Sequence, residues 1–240
     1  MTHSLNELFS EIKQNLRKES EPAFALGMKN FFKEEINSIG VRRPKVRRLV
    51  NEFYLKHRKN LSFKHSIELC EKLMEENIFE YTDFAVLLIQ KEKKNYSKAS
   101  FKLFEKWIQK FINNWAHCDT LCPHSIGFLI ESYPEFTENV FSWSSSKSRW
   151  LKRASIVSYV NICRKKDYSK EIIKTAENLL NDKDDLIQKA CGWALREAAK
   201  KNKKEIISFI RKNKLKMPRT MLRYSIERFN EKEKKELMKK

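Results

Sequence analysis

The chain has 240 residues, enough for one large domain or two small ones with a substantial core. Four glycines and five prolines are few for this length, and no stretch alternates apolar and polar residues cleanly, so a β-rich fold is disfavoured and an all-α fold is predicted. The formal net charge of +19 favours a polyanionic partner, although solvated lysine faces could also account for the excess.

The first predicted helix spans roughly Ser4 to Lys18, with apolar residues at helical spacing along one side. Ser4 is followed three residues later by Glu7, which is the pattern of a capping box. A second predicted helix opens at Pro22 and runs to Phe32. The apolar stripes of both helices predict core packing.

Gly40 ends that region, and Pro44 starts the third predicted helix. Another apolar stripe follows between Ile67 and Met74. The charged run from Glu231 to Lys240 is expected to fray. No linker or low-complexity stretch divides the sequence, so a single domain over 1–240 is predicted.

A repeat begins near Phe79, where small residues lie at matching points of successive helical segments. The small residues Ala85, Thr120, Ala154 and Ala190 are spaced 35, 34 and 36 residues apart. A period in the mid-thirties is typical of stacked helical pairs, so an α-solenoid of HEAT-like repeats with a concave basic groove is predicted. Partner helices are expected over 98–111, 134–141, 169–180 and 203–212.

The residues just before the small positions include Asp119, Arg153 and Lys189. Equivalent positions of successive repeats line up along one surface of a solenoid, so these side chains are expected to form a row. Trp115 lies one helical turn before Asp119, and Trp193 lies one turn after Lys189. An acid, a guanidinium and two indoles are therefore expected at one groove.

Asp119 is the candidate catalytic acid group. No Lys or Arg lies three or four residues from it, whereas Trp115 shares its helix face. Indole faces attract a cation, with a desolvated contact contributing up to ~2 kcal/mol, so Trp115 and Trp193 could hold a positively charged base. The carboxylate could stabilise positive charge that develops on a sugar as its glycosidic bond breaks. The alternatives are core tryptophans and an acidic residue that favours the helix dipole.

Arg153 is a candidate phosphate ligand, because a planar guanidinium can bind two phosphate oxygens. A salt bridge to Asp119 without any ligand is the alternative. Lys152, Lys189 and Arg196 are weaker candidates of the same kind.

The cysteines and histidines favour no metal site. Cys118 and Cys122 share a helix face near His124, but no second Cys/His cluster exists to complete a zinc site. The five cysteines form no paired framework and no signal peptide is apparent, so a reducing cytoplasm is expected. No apolar run reaches the length of a membrane span. No cofactor is predicted.

Several of these stretches resemble a known family. Trp115 to Asp119 is similar to a Trp-(x)3-Asp site, and Arg153 matches an arginine in the same family. The most distinctive stretch is residues 188–200, Gln-Lys-Ala-Cys-Gly-Trp-Ala-Leu-Arg-Glu-Ala-Ala-Lys, and residues 25–30 are also similar. The chain thus resembles the AlkD-type DNA alkylation-repair glycosylases, built of HEAT-like repeats, over roughly residues 20–230.

The resemblance implies a monofunctional enzyme that excises positively charged alkylpurines, such as 3-methyladenine and 7-methylguanine, from duplex DNA without deep base flipping. It implies that Trp115 and Trp193 flank the damaged nucleotide, that Asp119 stabilises the sugar, and that Arg153 holds phosphate. A monomer that acts on alkylated double-stranded DNA, away from membranes, is expected. The alternatives are a non-catalytic module that binds duplex or branched DNA, and a helical protein scaffold.

The sequence departs from the family pattern at three positions. Asn114 and Ala116 replace a tryptophan and an aspartate that often flank the catalytic tryptophan, and Gly27 stands where the family has an aromatic residue. These departures leave the lesion preference open.

Overall fold

A computed structural model describes residues 4–28 and 30–239 of the chain. This part of the chain contains no β-strand, so the predicted all-α class is confirmed. Lys29, within the stretch 25–30, and Lys240, at the end of the charged run, lie outside the described residues. In chain order the α-helices are α1 (Leu5–Lys18), α2 (Pro22–Met28), α3 (Arg43–His57), α4 (Phe63–Glu75), α5 (Phe79–Ile89), α6 (Lys98–Lys110), α7 (Trp115–Leu121), α8 (Gly127–Ser132), α9 (Phe136–Ser142), α10 (Arg149–Val157), α11 (Ser169–Asn178), α12 (Asp185–Asn213), α13 (Arg219–Ile226) and α14 (Glu231–Met238).

The first helix begins as predicted. Ser4 Oγ accepts a hydrogen bond from the Glu7 N–H, and the Glu7 carboxylate accepts one from the Ser4 N–H at 2.8 Å, which completes the capping box. The second helix ends at Met28 instead of continuing to Phe32.

The expectation of a frayed C-terminal tail was wrong for Glu231–Met238, which forms α14. Asn230 and Glu233 build a capping box at its start, and Leu237 is buried. A capped first turn and one buried apolar side chain stabilise this helix despite its high charge.

The chain divides into two compact units. The first comprises residues 1–97 and 110–121, and the second comprises residues 98–109 and 122–240. This division does not itself assign domains, so the single-domain interpretation stays a prediction.

The first unit is built around α5, which packs on α3, α4 and α7. Most of α5 is buried, including Tyr81, Phe84 and Ala85. This burial is expected for a helix whose sequence is apolar on nearly all sides. A helix enclosed in this way fixes the position of the helices around it.

Glu80 of α5 holds the loop that leads into α3. Its buried carboxylate accepts hydrogen bonds from the Ser38 hydroxyl at 2.6 Å and from the backbone N–H groups of Ile39, Gly40 and Val41 at 2.9–3.1 Å. Gly40 has φ +79°, and a Cβ there would lie 2.2 Å from the Glu21 carbonyl oxygen, so both its dihedral and its surroundings require glycine.

The second unit is built around α12, which packs on α10, α11 and α13. The dihedrals of Asn202 (φ −136°, ψ 69°) interrupt this helix, and the Asn202 side chain accepts a hydrogen bond from the Glu205 N–H as a cap would. The predicted partner helix 203–212 is therefore the part of α12 that follows this interruption.

The small residues that define the repeat occupy similar places in both units. Ala85 and Thr120 are buried in neighbouring helices of the first unit, and Ala154 and Ala190 are buried in neighbouring helices of the second. This burial agrees with the predicted helical repeat. None of the helices in the described chain combines the length and apolar character that a membrane crossing requires.

Candidate functional site

Helix α7 carries the candidate catalytic pair. Asn114 caps this helix, because its Oδ1 accepts a hydrogen bond from the His117 N–H at 3.0 Å. Trp115 and Asp119 follow one turn apart on one face, and both side chains are half-buried. Because both side chains are partly exposed, a ligand can reach Asp119 and Trp115 without unfolding of α7.

The position of Trp115 is fixed by an aromatic cluster. Phe32 stacks on the indole with ring centroids 5.4 Å apart and an inclination of 25°. Phe32 also contacts Phe79, which in turn contacts the buried ring of His117. The cluster leaves the indole little freedom to rotate.

His117 is the polar end of this cluster. Its Nε2 donates a hydrogen bond to the Phe79 carbonyl oxygen at 3.0 Å, and its Nδ1 accepts one from the Asn114 amide at 2.7 Å. Burial lowers the pKa of His117 to about 3, so the ring is neutral near pH 7. Its role is to fix the start of α7, which positions Trp115 and Asp119.

The helix dipole acts most strongly on charges in the first turn of a helix. Asp119 lies beyond the first turn of α7. The alternative suggested for Asp119 was an acidic charge that favours the helix dipole, and this effect falls off beyond the first turn. The dipole therefore gives a weaker account of this carboxylate than it would at the helix start.

Arg43 of α3 contacts the same helix. Its guanidinium donates a hydrogen bond to Thr120 Oγ1, directly after Asp119 in sequence, and its Nε lies 3.6 Å from an oxygen of Asp83 on α5. Neither Arg43 nor Asp83 was among the residues predicted for the site. A signal was present in the repeat segment Tyr81–Ala85, where Asp83 stands among apolar residues that predict burial.

Asp83 is a buried carboxyl group, with 3% of its surface exposed. Burial raises the pKa of Asp83 to about 6, against the opposing effect of the Arg43 and Arg47 charges. Its ionised form therefore depends on these two guanidinium groups.

Arg153 of α10 lies in the second unit and is 5% exposed. Its guanidinium donates a hydrogen bond to the carbonyl oxygen of Leu186 in the first turn of α12. Lys152, beside it in sequence, forms an ion pair with Asp182 at 2.7 Å. Both cations are held by protein groups, and their role as phosphate ligands stays a prediction.

Trp193 is half-buried on α12, next to a close contact with α13. A Cβ at Gly192 would lie 2.3 Å from the Tyr224 Cβ and 2.7 Å from the Met221 carbonyl oxygen. The absence of a side chain at Gly192 therefore permits the helix approach that sets the position of the neighbouring indole.

The remaining predicted cations of the second unit are ion-paired. Lys189 pairs with Asp185 at 2.7 Å. Arg196 pairs with Glu227 and is only 14% exposed. An exposed pair contributes about 0–1 kcal/mol, so Lys189 could exchange its carboxylate for a phosphate at low cost, whereas Arg196 also ties α12 to α13.

The structure brings Trp115 and Asp119 together on α7 of the first unit, and it places Arg153 and Trp193 on helices of the second unit. The expectation that all four face one groove stays a prediction. Among the described residues, no group of three His, Cys, Asp or Glu side chains could hold a metal ion.

Comparisons with known proteins agree with this fold. A family model described as DNA alkylation repair enzyme matches residues 12–229. The solved structure of a predicted DNA alkylation repair enzyme from Enterococcus faecalis is similar, with a TM-score of 0.73, 17% sequence identity, and coverage of 89% of this chain and 98% of that one. This likeness concerns the fold alone. No match was found among curated proteins.

Proposed function

Since the chain belongs to the DNA alkylation repair enzyme family, we propose that it is a DNA glycosylase that hydrolyses the N-glycosidic bond of positively charged alkylpurines in duplex DNA. The observation that carries the proposal is the pair of Trp115 and Asp119, half-buried on one face of α7. The overall charge of +19 suits a DNA substrate.

The chemistry follows from the charge of the lesion. An alkylated purine that carries a positive charge is a good leaving group, because the electron pair of the broken C1′–N bond neutralises the base. The sugar then carries positive charge at C1′, and water adds there with loss of a proton. No strong general acid is required, so the site needs a group that stabilises a cation.

Asp119 suits that requirement. A carboxylate placed in advance beside developing positive charge lowers the barrier, and such electrostatic stabilisation is usually the largest single contribution to catalysis. We assign Asp119 to the sugar and its water, Trp115 and Trp193 to the nucleotide, and Arg153 to a phosphate. Lys152, Lys189 and Arg196 are proposed as weaker phosphate contacts.

The direct test is release of free base from duplex DNA that contains 7-methylguanine. Wild-type protein is expected to release the base, and Asp119→Asn is expected to lower the single-turnover rate about 10²–10³-fold while duplex binding persists. The rate is expected to fall because asparagine has the size of aspartate but lacks its negative charge.

The matched control is Glu138→Gln, which removes one exposed carboxylate that pairs with Lys174 on the surface. It is expected to leave base release unchanged. Full activity in Asp119→Asn would remove this carboxylate from the mechanism. Duplex binding by the wild type without any base release would favour the alternative, a non-catalytic DNA-binding protein.

A further inference from the structure

Helix α3 of the first unit presents an arginine stripe, which consists of Arg43 and Arg47 and is followed one turn later by Asn51. These residues recur every four positions on the exposed face, and with the exposed Leu55 they line a shallow open groove. The opposite face of α3 is buried, so the stripe cannot turn inward without loss of the core contacts of this helix.

The other cations of this region are neutralised by surface carboxylates. Arg42 pairs with Glu21 at 3.0 Å, Lys45 pairs with Glu19 and Glu21, and Arg48 pairs with Glu19 at 2.6 Å. Within residues 4–28 and 30–239, neither Arg43 nor Arg47 pairs with a surface carboxylate. Glu52 lines the same groove but pairs with Arg48, at 3.4 Å, and the carboxylate that lies against Arg43 is the buried Asp83. The outer side of Arg43 and Arg47 therefore keeps its positive charge.

Arg43 is held in a defined position. Glu80 fixes the loop before α3. The Arg43 guanidinium itself contacts Thr120 on α7 and Asp83 on α5. The Arg43 side chain is nevertheless 45% exposed. A guanidinium has five N–H donors, so donors remain for a ligand after the hydrogen bond to Thr120.

We propose that Arg43 and Arg47 bind backbone phosphates of duplex DNA, and that Thr120 and Asp83 hold Arg43 in place for this contact. Two guanidinium groups one helical turn apart can contact neighbouring phosphates of one strand. The contact with Thr120 connects phosphate binding to the helix that carries Trp115 and Asp119. The inference rests on the proposed function to the extent that DNA is the ligand.

The first test is the salt dependence of binding to an undamaged duplex, measured with the full chain. Each lost phosphate contact should make the slope of log K against log[salt] less negative by about 0.9, which corresponds to about eightfold weaker binding at 0.1 M salt. Arg43→Gln and Arg47→Gln are each expected to show this change, and the double variant about twice the change in slope.

The matched control is Arg17→Gln, which removes an exposed arginine on α1 of the same unit. It is expected to keep the wild-type slope. Wild-type slopes for Arg43→Gln and Arg47→Gln, or an equal loss in Arg17→Gln, would overturn the assignment of this stripe. Circular dichroism and thermal unfolding establish that each variant is folded.

The second test concerns how Arg43 is held. Thr120→Val removes the hydroxyl acceptor but keeps the charge of Arg43, so the affinity is expected to fall two- to threefold with an unchanged salt slope. Thr120→Ser keeps a hydroxyl and is expected to restore wild-type affinity. Wild-type affinity in Thr120→Val would overturn the role of Thr120.

Base release is measured separately, in single-turnover reactions at saturating protein. If the wild type releases no base but the slopes change as expected, the glycosylase proposal fails and the phosphate site stands. If base is released and the slopes do not change, the phosphate site fails and the glycosylase proposal stands.

Discussion

Two buried ionisable residues of the first unit respond to acid in opposite directions. The pKa of Asp83 is raised to about 6 by burial, so the folded protein binds this proton more tightly than the unfolded chain does. The pKa of His117 is lowered to about 3 by burial, so the folded protein binds that proton less tightly. The sign of each shift determines how it affects stability.

The contribution of Asp83 to stability is fully present below about pH 4 and is lost as the pH rises to about 6. The contribution of His117 is fully present above about pH 6.5 and is lost as the pH falls toward 3. Between about pH 4 and pH 6 the two effects oppose each other, so wild-type stability should change little with pH through these groups.

Asp83→Asn removes one of the two opposing effects. The variant is expected to be more stable than the wild type at pH 7.5, by up to about 3 kcal/mol, because it avoids the cost of ionising a buried carboxyl group, which raises the pKa of Asp83 to about 6. Its free energy of unfolding should then fall more steeply than that of the wild type between pH 6 and pH 4. Urea unfolding at four pH values from 4 to 7.5 measures both effects.

A surface carboxylate gives the comparison for this experiment. Glu138→Gln, with its exposed side chain, should follow the wild-type curve. Parallel curves for Asp83→Asn and the wild type would contradict the linkage, and would show that Asp83 ionises in the folded state much as it does in the unfolded chain.

Sequence spacing was enough to place Trp115 and Asp119 on one helix face, because both belong to a single helix. The contact of Arg43 with Thr120 joins residues 77 positions apart, and no local pattern specifies such a pair. Likewise, the burial of Arg153 depends on the packing of α10 against α12.

At the scale of helices, glycine has opposite consequences at two positions. Gly192 lies where α12 approaches α13 too closely for a side chain, whereas a Cβ at Gly27 in α2 would meet no atom within 4 Å. Alanine favours a helix over glycine by about 1 kcal/mol at either position. The surroundings therefore decide the sign of each substitution.

Gly192→Ala is expected to destabilise the protein by about 2 kcal/mol, because the added methyl group must displace the backbone of α13. Gly27→Ala is expected to stabilise it by about 0.5–1 kcal/mol. Both are measured by urea unfolding at pH 7.5. Shifts of the same sign in the two variants would contradict the described helix contact.

Helix boundaries were the less predictable part of the elements. Pro22, Gly40 and Pro44 acted locally, so the starts of α2 and α3 were close to prediction. The helix α14 was missed because its stability depends on the burial of Leu237, which its charged sequence does not suggest. Capping by Asn230 was the available signal.

At the scale of the whole molecule, composition and period together predicted the fold class. Scarce glycine and proline, and small residues in the mid-thirties spacing, follow from helices that pack closely in pairs. Such patterns repeat along the chain and can be recognised without coordinates. The position of each cation relative to its carboxylate does not repeat. The sequence therefore gives the number of charged residues, but it does not predict which of them form ion pairs.

All five cysteines, at positions 70, 118, 122, 163 and 191, are buried, and none forms a disulfide. Burial raises the pKa of Cys163 and Cys191 to about 12, and raises that of Cys70 as well. The native protein is therefore expected to react with a thiol reagent such as Ellman's reagent far more slowly than in guanidinium chloride, where five thiols should titrate. Rapid titration of any thiol in the native state would contradict this burial.

This arrangement has a consequence in a cell under chemical attack. The electrophiles that methylate purines also react with thiolates, which are the strongest nucleophiles that a protein ordinarily exposes. A repair protein must work while those electrophiles are still present. Because all five of its thiols are buried, this protein is a poor target for the reagents whose damage it is proposed to remove.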